Sequence, residues 1–412
     1  MQKFDVLIIG GGMVGLTLAL AIRKQSDMTV AIVDDQPFTE TSDEYELRVS
    51  AINAVNKQLF DNLGVWQEIE KQRLAPYQHM HVWDKSGYGK LDFSLEDTDA
   101  INQDSIGAII ENKVIRNALW QVAKQDEGIK LFDQERVTNI AQSDNEVFAS
   151  FASQPPILAK LVVGADGANS WLRNQMNMSM TFRDYDHHAV VGTVHCENGH
   201  QDTAWQVFLE TGLLALLPLP DSNLCSIVWS TSPEHADELL SIDKEAFTKQ
   251  ITAATDGKCG VVSLDSDLMK FPLTMRYVQD VVKDRVVVIG DAAHTIHPLA
   301  GQGVNLGLLD AAALAQTLCK GFELMQSGKI DDWYSDKALK EYARWRKTEA
   351  LEMITAMEVL YRAFKPQAAP IKFIRGIGMS IINELAPMRK LFVNHALGFK
   401  GELPNLSLPN GQ

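Results

Sequence analysis

Basic residues are in short supply: 38 Lys and Arg face 53 Asp and Glu among 412 residues, a formal charge of −15. A surface of that sign repels phosphate backbones, which excludes general nucleic-acid binding. Cysteine is scarce too. Its four copies, Cys196, Cys225, Cys259 and Cys319, stand far apart with no CxxC pair. That spacing suits neither a zinc site nor a dithiol centre, and a disulfide framework is not expected at this length, so a reducing cytosol fits. No run of 18 uncharged apolar residues occurs, so no membrane-spanning helix is expected. The apolar run at Met1–Ile9 is too short for a signal peptide and leads directly into glycines. No Ser/His/Asp or metal-ligand constellation and no internal repeat is visible.

What is present is ordinary for a folded chain: 46% hydrophobic and 22% charged residues, enough for a large core and two or three domains. The charge is uneven. From Tyr361 to Lys400 seven basic residues (Arg362, Lys365, Lys372, Arg375, Arg389, Lys390, Lys400) stand against Glu384 alone. This segment reads either as a face for anionic lipid headgroups or an acidic partner, or as helices capping the main domain with solvated lysines.

Periodicity gives the elements. Phe4–Ile9 reads as a buried strand, Met13–Lys24 as a helix through Leu16, Leu20 and Ile22, and Met28–Val33 as a second strand ending at Asp34. Residues His188 to Pro272 alternate apolar and polar, which predicts an antiparallel sheet with a helix at Lys244–Ala254. Trp205 and Trp229 fall in its core. Val286–Ile289 is again a buried strand, followed by a turn and the alanine-rich helix Val304–Lys320. Tyr342–Phe364 and Ile371–Leu397 are helical, broken by Pro366, Pro370 and Pro387. The tail from Gly401, with Pro404 and Pro409, reads as loose.

Three glycine-bearing turns carry the chemistry. The first, Gly10-Gly11-Gly12-Met13-Val14-Gly15, is a GxGxxG at Gly10, Gly12 and Gly15 between strand and helix. Its glycines allow a tight turn, close approach of a pyrophosphate and close helix packing, and the helix N-terminus favours anions. Asp34, 19 residues after Gly15, stands where an acid would accept ribose hydroxyls, so the unit predicts dinucleotide binding without saying which. The second is Gly164-Ala165-Asp166-Gly167, with Arg173 beyond it. The third is Gly290-Asp291-Ala292-Ala293-His294, followed by Pro298, Gly301, Gln302, Gly303, Val304 and Asn305. Its free N–H groups suit an anion or an electron-rich carbonyl.

The trio in this order resembles the single-component flavin-dependent aromatic hydroxylases of the para-hydroxybenzoate hydroxylase type, over roughly Phe4 to Lys320. Arg48-Val49-Ser50-Ala51-Ile52, Ile110 through Trp120 and Gly290 through Asp310 are similar to the bacterial ubiquinone-biosynthesis hydroxylases. Val194 to Asn198 with Thr203-Ala204-Trp205-Gln206 is most like the member acting on the demethoxy-ubiquinol ring. The resemblance implies an α/β fold: a Rossmann-like FAD-binding domain at 1–75, 101–178 and 280–350, an inserted, mainly antiparallel substrate domain at 76–100 and 179–279, and a helical C-terminal region at 351–412.

It also implies FAD contacts. Gly10, Gly12 and Gly15 would face the pyrophosphate and Asp34 the adenosine ribose, with a slightly shorter reach than the family's usual Glu. Arg48 would meet the ribityl–pyrophosphate region and Arg116 would support the same end; by themselves they would read as a surface arginine and an i,i+4 helix partner. Asp166 would serve both FAD and a nicotinamide donor, Asp291 the ribityl hydroxyl, and Pro298, Gly301, Gln302, Gly303 and Val304 the isoalloxazine ring. His294 and His297 read as packing or hydrogen-bonding residues rather than general bases. The implied reaction is ring hydroxylation of a polyprenylated quinol with O2 and NAD(P)H through a C4a-hydroperoxyflavin. The implied setting is cytoplasmic, with peripheral contact at the inner membrane through 361–400 or a place in a biosynthetic complex as further expectations. Alternatives are a soluble phenolic substrate, a polyprenyl reductase, or a non-catalytic flavin-binding subunit. A halogenase is disfavoured because no WxWxIP motif is present.

Overall fold

The computed structural model describes residues 1–42, 44–85, 87, 89–97, 104–296, 303–364, 369–399 and 401–409. Its first layer is a sheet begun by β1 (Gln2–Ile9), the helix α1 (Met13–Gln25) and β2 (Val30–Val33). Five strands run parallel, in the spatial order Val286–Val288, Ile157–Gly164, β1, β2, Ile129–Phe132. β1 and β2 end in apolar runs buried on both faces, as a parallel sheet covered by helices requires. Helix α1 is buried from Gly15 to Ile22 because the Gly303–Gln326 helix covers its outer side. Leu16 and Ile22 are fully buried, each stabilising the fold by roughly 1.5–3 kcal/mol.

The second layer is a nine-stranded sheet holding His79–Asp84, Lys90–Ser94 and the strands from Met180 to Val278, with the short strand His294–Thr295 at one edge. It is antiparallel except where Thr203–Leu209 runs parallel to His79–Asp84. Helices Pro233–Ser241 and Lys244–Ala254 cover a core formed by Val190, Val194, Leu214, Ile227, Trp229 and Phe247. The four cysteines are buried free thiols, and the sheet brings Cys196 and Cys225 to 3.8 Å between sulfurs.

Helices Asp336–Phe364, Ala369–Glu384 and Ala386–Ala396 form the C-terminal region. Val393 and Leu397 are buried against Ala54, Tyr77, Ile106 and Ala204, so this region is part of the body. The tail corrects the expectation of looseness. Asn62 donates to the carbonyls of Leu406 and Leu408 at 2.8 and 2.9 Å, and Asn405 N–H donates to Gln316 at 2.8 Å. Leu406 packs on the main core, and those three hydrogen bonds offset the ordering entropy that loop composition alone suggested was decisive. Among the described residues no helix is long and apolar enough to cross a membrane.

Candidate active site

The sheet register places the three turns together. Ile9 pairs with Gly164, and Gly164 pairs with Val288, so the turns after these strands leave one edge side by side. Ala165 N–H donates to Ile9 O at 2.8 Å, and Ile289 N–H to Gly164 O at 2.9 Å. β1 is where the strand order reverses, with β2 on one side and Ile157–Gly164 on the other. Open α/β sheets bind ligands outside the strand carboxyl ends at such a switch point.

Each glycine of the first turn has its own reason. Gly10 has φ +111°, and a Cβ there would lie 2.3 Å from Ala165 O. A Cβ on Gly15 would lie 2.0 Å from Gly10 O. Gly12 differs: its φ is −80° and an added Cβ would meet no atom of the described residues within 4 Å. Neither backbone conformation nor packing against the described residues demands glycine there, which fits close approach by a bound molecule. Gly12 is also the N-cap of α1, with no side-chain cap and no acid in the first turn, so the helix N-terminus keeps its positive potential for a ligand.

Asp34 accepts the N–H groups of Gly11 at 2.7 Å and Gln36 at 2.8 Å. Arg116 donates to Gly11 O at 2.9 Å and Pro37 O at 3.4 Å, and one of its Nη atoms lies 3.5 Å from Asp34. It is a brace for the first turn as well as a cation over Trp120, four residues on, at 5.8 Å.

Asp166 caps the Trp171–Gln175 helix, accepting Leu172 N–H at 3.1 Å through one oxygen. Its other oxygen is buried with no hydrogen-bond partner among the described residues, an arrangement that native structures complete with a ligand or water. Buried Arg173 joins the second and third turns, donating to Ala168 O at 2.9 Å and Ala292 O at 3.0 Å. Arg276, from the second sheet, donates to Ala168 O and Asn169 Oδ1 at 2.6 and 2.9 Å.

Asp291 is exposed, yet the protein crowding its carboxyl raises its pKa, opposed by the positive fields of His294, Arg48 and Arg276. Arg48, also exposed, therefore shares the cleft with the third turn. His294 is buried and its Nε2 lies 2.6 Å from Asp310. Gly303 and Val304 begin the Gly303–Gln326 helix and are partly buried. Pro298, Gly301, Gln302 and His297 lie outside the described residues. Trp229 is buried in the second sheet, and Trp205 is partly buried there, donating to His200 O at 3.0 Å.

Sequence reasoning missed Asp310, Arg346, Arg173's bridging, Arg276, and the buried Glu111, which pairs with Arg73 and accepts Glu46 N–H at 2.5 Å. One signal was there to find: Asp310 is the only acid within the apolar run Val304–Lys320, and a lone buried acid requires partners.

The family model described as FAD binding domain matches residues 3–347. The 3-demethoxyubiquinol 3-hydroxylase of Escherichia coli is 31% identical, with 96% of this chain and 99% of that protein covered. The mitochondrial ubiquinone biosynthesis monooxygenase COQ6 of Xenopus tropicalis is 32% identical, covering 94% of this chain and 92% of that protein. The chain belongs to the FAD-dependent ubiquinone-biosynthesis hydroxylase family. Members are flavin-dependent monooxygenases, and the three turns, open Gly12 and unpartnered Asp166 oxygen fit FAD. Solved folds agree: p-nitrophenol 4-monooxygenase from Pseudomonas putida superposes with a TM-score of 0.76 at 18% identity, covering 96% of this chain and 99% of that one. The architecture is thus a Rossmann-like FAD-binding α/β domain with an inserted, mainly antiparallel sheet and a helical C-terminal region.

Proposed function

We propose that this monooxygenase hydroxylates the ring of a polyprenylated ubiquinone precursor, with O2 and NAD(P)H as co-substrates. The observation that carries the reading is the nearly end-to-end match to hydroxylases named for ubiquinone biosynthesis in bacteria and animals. FAD, when bound, supplies the electron transfer and oxygen activation that no side chain of the cleft provides. The chain's own residues orient, screen and exclude water.

In this reading Gly10, Gly12 and Gly15 with the α1 N-terminus receive the pyrophosphate, and Asp34 uses its remaining lone pairs for the adenosine ribose. Arg116 acts through Gly11, whose carbonyl it holds, rather than as a free phosphate ligand. Arg48 faces the ribityl–pyrophosphate end opposite Asp291, whose carboxyl accepts a ribityl hydroxyl. Asp166 offers its free oxygen to the cofactor or the nicotinamide donor. Gly303 and Val304 stand beside the isoalloxazine ring, to which the sequence alone assigns Pro298, Gly301 and Gln302 as well. The test is stopped-flow NAD(P)H oxidation with and without a short-chain demethoxy-quinol analogue, with product mass measured. Product heavier by one oxygen supports the reading. NAD(P)H consumed only to peroxide contradicts the substrate class.

The substrate's isoprenoid tail favours peripheral membrane contact through 361–400. Val359 and Ile381, on the C-terminal helices, and Leu385, between two of them, are 61%, 50% and 49% exposed. Arg362 and Arg389 are neutralised by Glu358 and Asp97, so the cationic excess is smaller than the sequence count. Because Val393 and Leu397 are buried, truncation at Phe364 would open the core, and charge reversal isolates the effect. Lys372→Glu with Arg375→Glu should reduce co-sedimentation with anionic vesicles; equal sedimentation contradicts the membrane contact.

A further inference from the structure

One carboxylate lies behind the third turn and touches it only at residues 290 and 294. Asp310, 2% exposed in the middle of the Gly303–Gln326 helix, divides its two oxygens between two elements. Oδ2 accepts the Gly290 N–H at 3.2 Å and meets His294 Nε2 at 2.6 Å. Oδ1 accepts Arg346 Nε at 2.7 Å from the Asp336–Phe364 helix. Arg346 also donates to Leu306 O at 3.4 Å, and Tyr342 OH to the main-chain oxygen of Asp310 at 3.4 Å.

Residues 290 and 294 are the two ends of the turn that displays Asp291. A single anionic oxygen therefore holds both ends. The turn is wedged as well: a Cβ on Gly290 would lie 3.2 Å from the Val14 side chain, and one on Gly307 would lie 3.1 Å from Gly290 Cα. With both ends tied and the floor filled, Asp291 has one backbone position available. Its raised pKa makes that position consequential, since a carboxyl crowded by protein gains from a hydroxyl partner fixed at hydrogen-bond distance.

We propose that Asp310 is the positioning residue of the cofactor cleft, setting Asp291 against the flavin's ribityl chain by gripping both ends of the 290–294 turn. The inference rests on the reading that Asp291 faces the ribityl chain. An amide cannot replace this carboxylate. Asn has one acceptor oxygen where Asp has two; the charged Arg346 claims it, which turns the NH2 toward the Gly290 N–H, donor against donor.

The experiment titrates FAD into apo-protein of the native chain and of the variants D310N, R346M and D291A, reading flavin fluorescence and the visible circular dichroism of the bound flavin. D310N and R346M both break the buried pair and should lose comparable thermal stability. Only D310N frees the turn: its FAD dissociation constant should rise about tenfold with an altered flavin dichroism, while R346M stays within about twofold of native. If D310N fails to fold, His294→Phe, which keeps the Asp310–Arg346 pair, should show the same weakened binding. D310N binding like the native chain, or R346M weakening FAD as much as D310N, overturns the inference. The D291A arm separates the two levels. Native-like binding by D291A removes the assignment of Asp291 and the inference with it, whereas weakened D291A beside unchanged D310N removes the inference alone.

Discussion

The two large sheets are organised by different rules. In the parallel sheet the chemistry sits at strand ends, within a few residues of the glycines that make each turn. Register then aligns three such turns, at Gly10, Gly164 and Gly290, on one edge. In the second sheet the side chains that reach the cleft, Arg276 above all, are delivered by strand pairing between distant parts of the chain. A local motif specifies a site in the first case; in the second only the completed fold does. Gly10, at the end of β1, should accordingly reject any side chain, whereas Gly192, in mid-strand of the second sheet, should accommodate one.

The largest contrast is Gly10→Ala. It combines a φ of +111° with a backbone oxygen 2.3 Å from the new Cβ, neither of which can relax without separating β1 from Ile157–Gly164. A loss of about 3 kcal/mol or more is expected, seen as a lowered denaturant midpoint or loss of soluble protein. A native midpoint would break the comparison at its strongest point.

A pH effect comes next. Burial by itself would raise the pKa of Asp310, but His294 and Arg346 outweigh it and bring the value down to about 2. A carboxyl lowered on folding contributes stability that is present above its unfolded pKa of about 4 and lost as pH falls toward 2, here on the order of 2 kcal/mol. D310N should show a flatter stability curve across that acid window, measured by urea unfolding at several pH values. An unchanged slope would contradict the ionised hub.

Gly192→Ala, in the second sheet, should cost about 1 kcal/mol. Its Cβ would lie 2.6 Å from the terminal methyl of Leu268, a flexible contact that can turn away. The smallest effect belongs to Lys249→Ala, which removes an exposed pair with Glu245 on the outer helix; its thermal midpoint should correspond to a change within about 0.5 kcal/mol. A cost at Gly192 equal to that at Gly10 would erase the distinction between a strand-end turn and a mid-strand position.

The same distinction explains what could be read from the sequence. The β1–α1–β2 unit, Asp34 and the turns at Asp166 and Asp291 are short-range patterns whose spacing carries their geometry, and the Lys244–Ala254 helix falls where its periodicity put it. Arg346 reaches Asp310 across 36 positions, Arg73 reaches Glu111 across 38, and Arg276 reaches Ala168 across 108. No local spacing encodes such meetings. The tail was misjudged for a related reason: Pro404 and Pro409 announce a turn-rich segment, but the groups that dock it, Asn62 and Gln316, belong to helices far back in the chain. Cys196 and Cys225, 29 positions apart, likewise meet only through the sheet, at 3.8 Å between sulfurs, and both are free thiols.

The most direct test of the cofactor cleft exploits Gly12, where an added methyl meets no atom of the described residues within 4 Å. Apo-protein and its Gly12→Ala variant would be unfolded thermally and titrated with FAD by visible absorbance. The account predicts matching unfolding midpoints, one FAD bound per native chain, and affinity reduced by at least about tenfold in the variant because the methyl occupies the path of the pyrophosphate. A native chain that takes up no FAD, or a variant that binds it as tightly, would contradict the claim that these three strand ends form the flavin site.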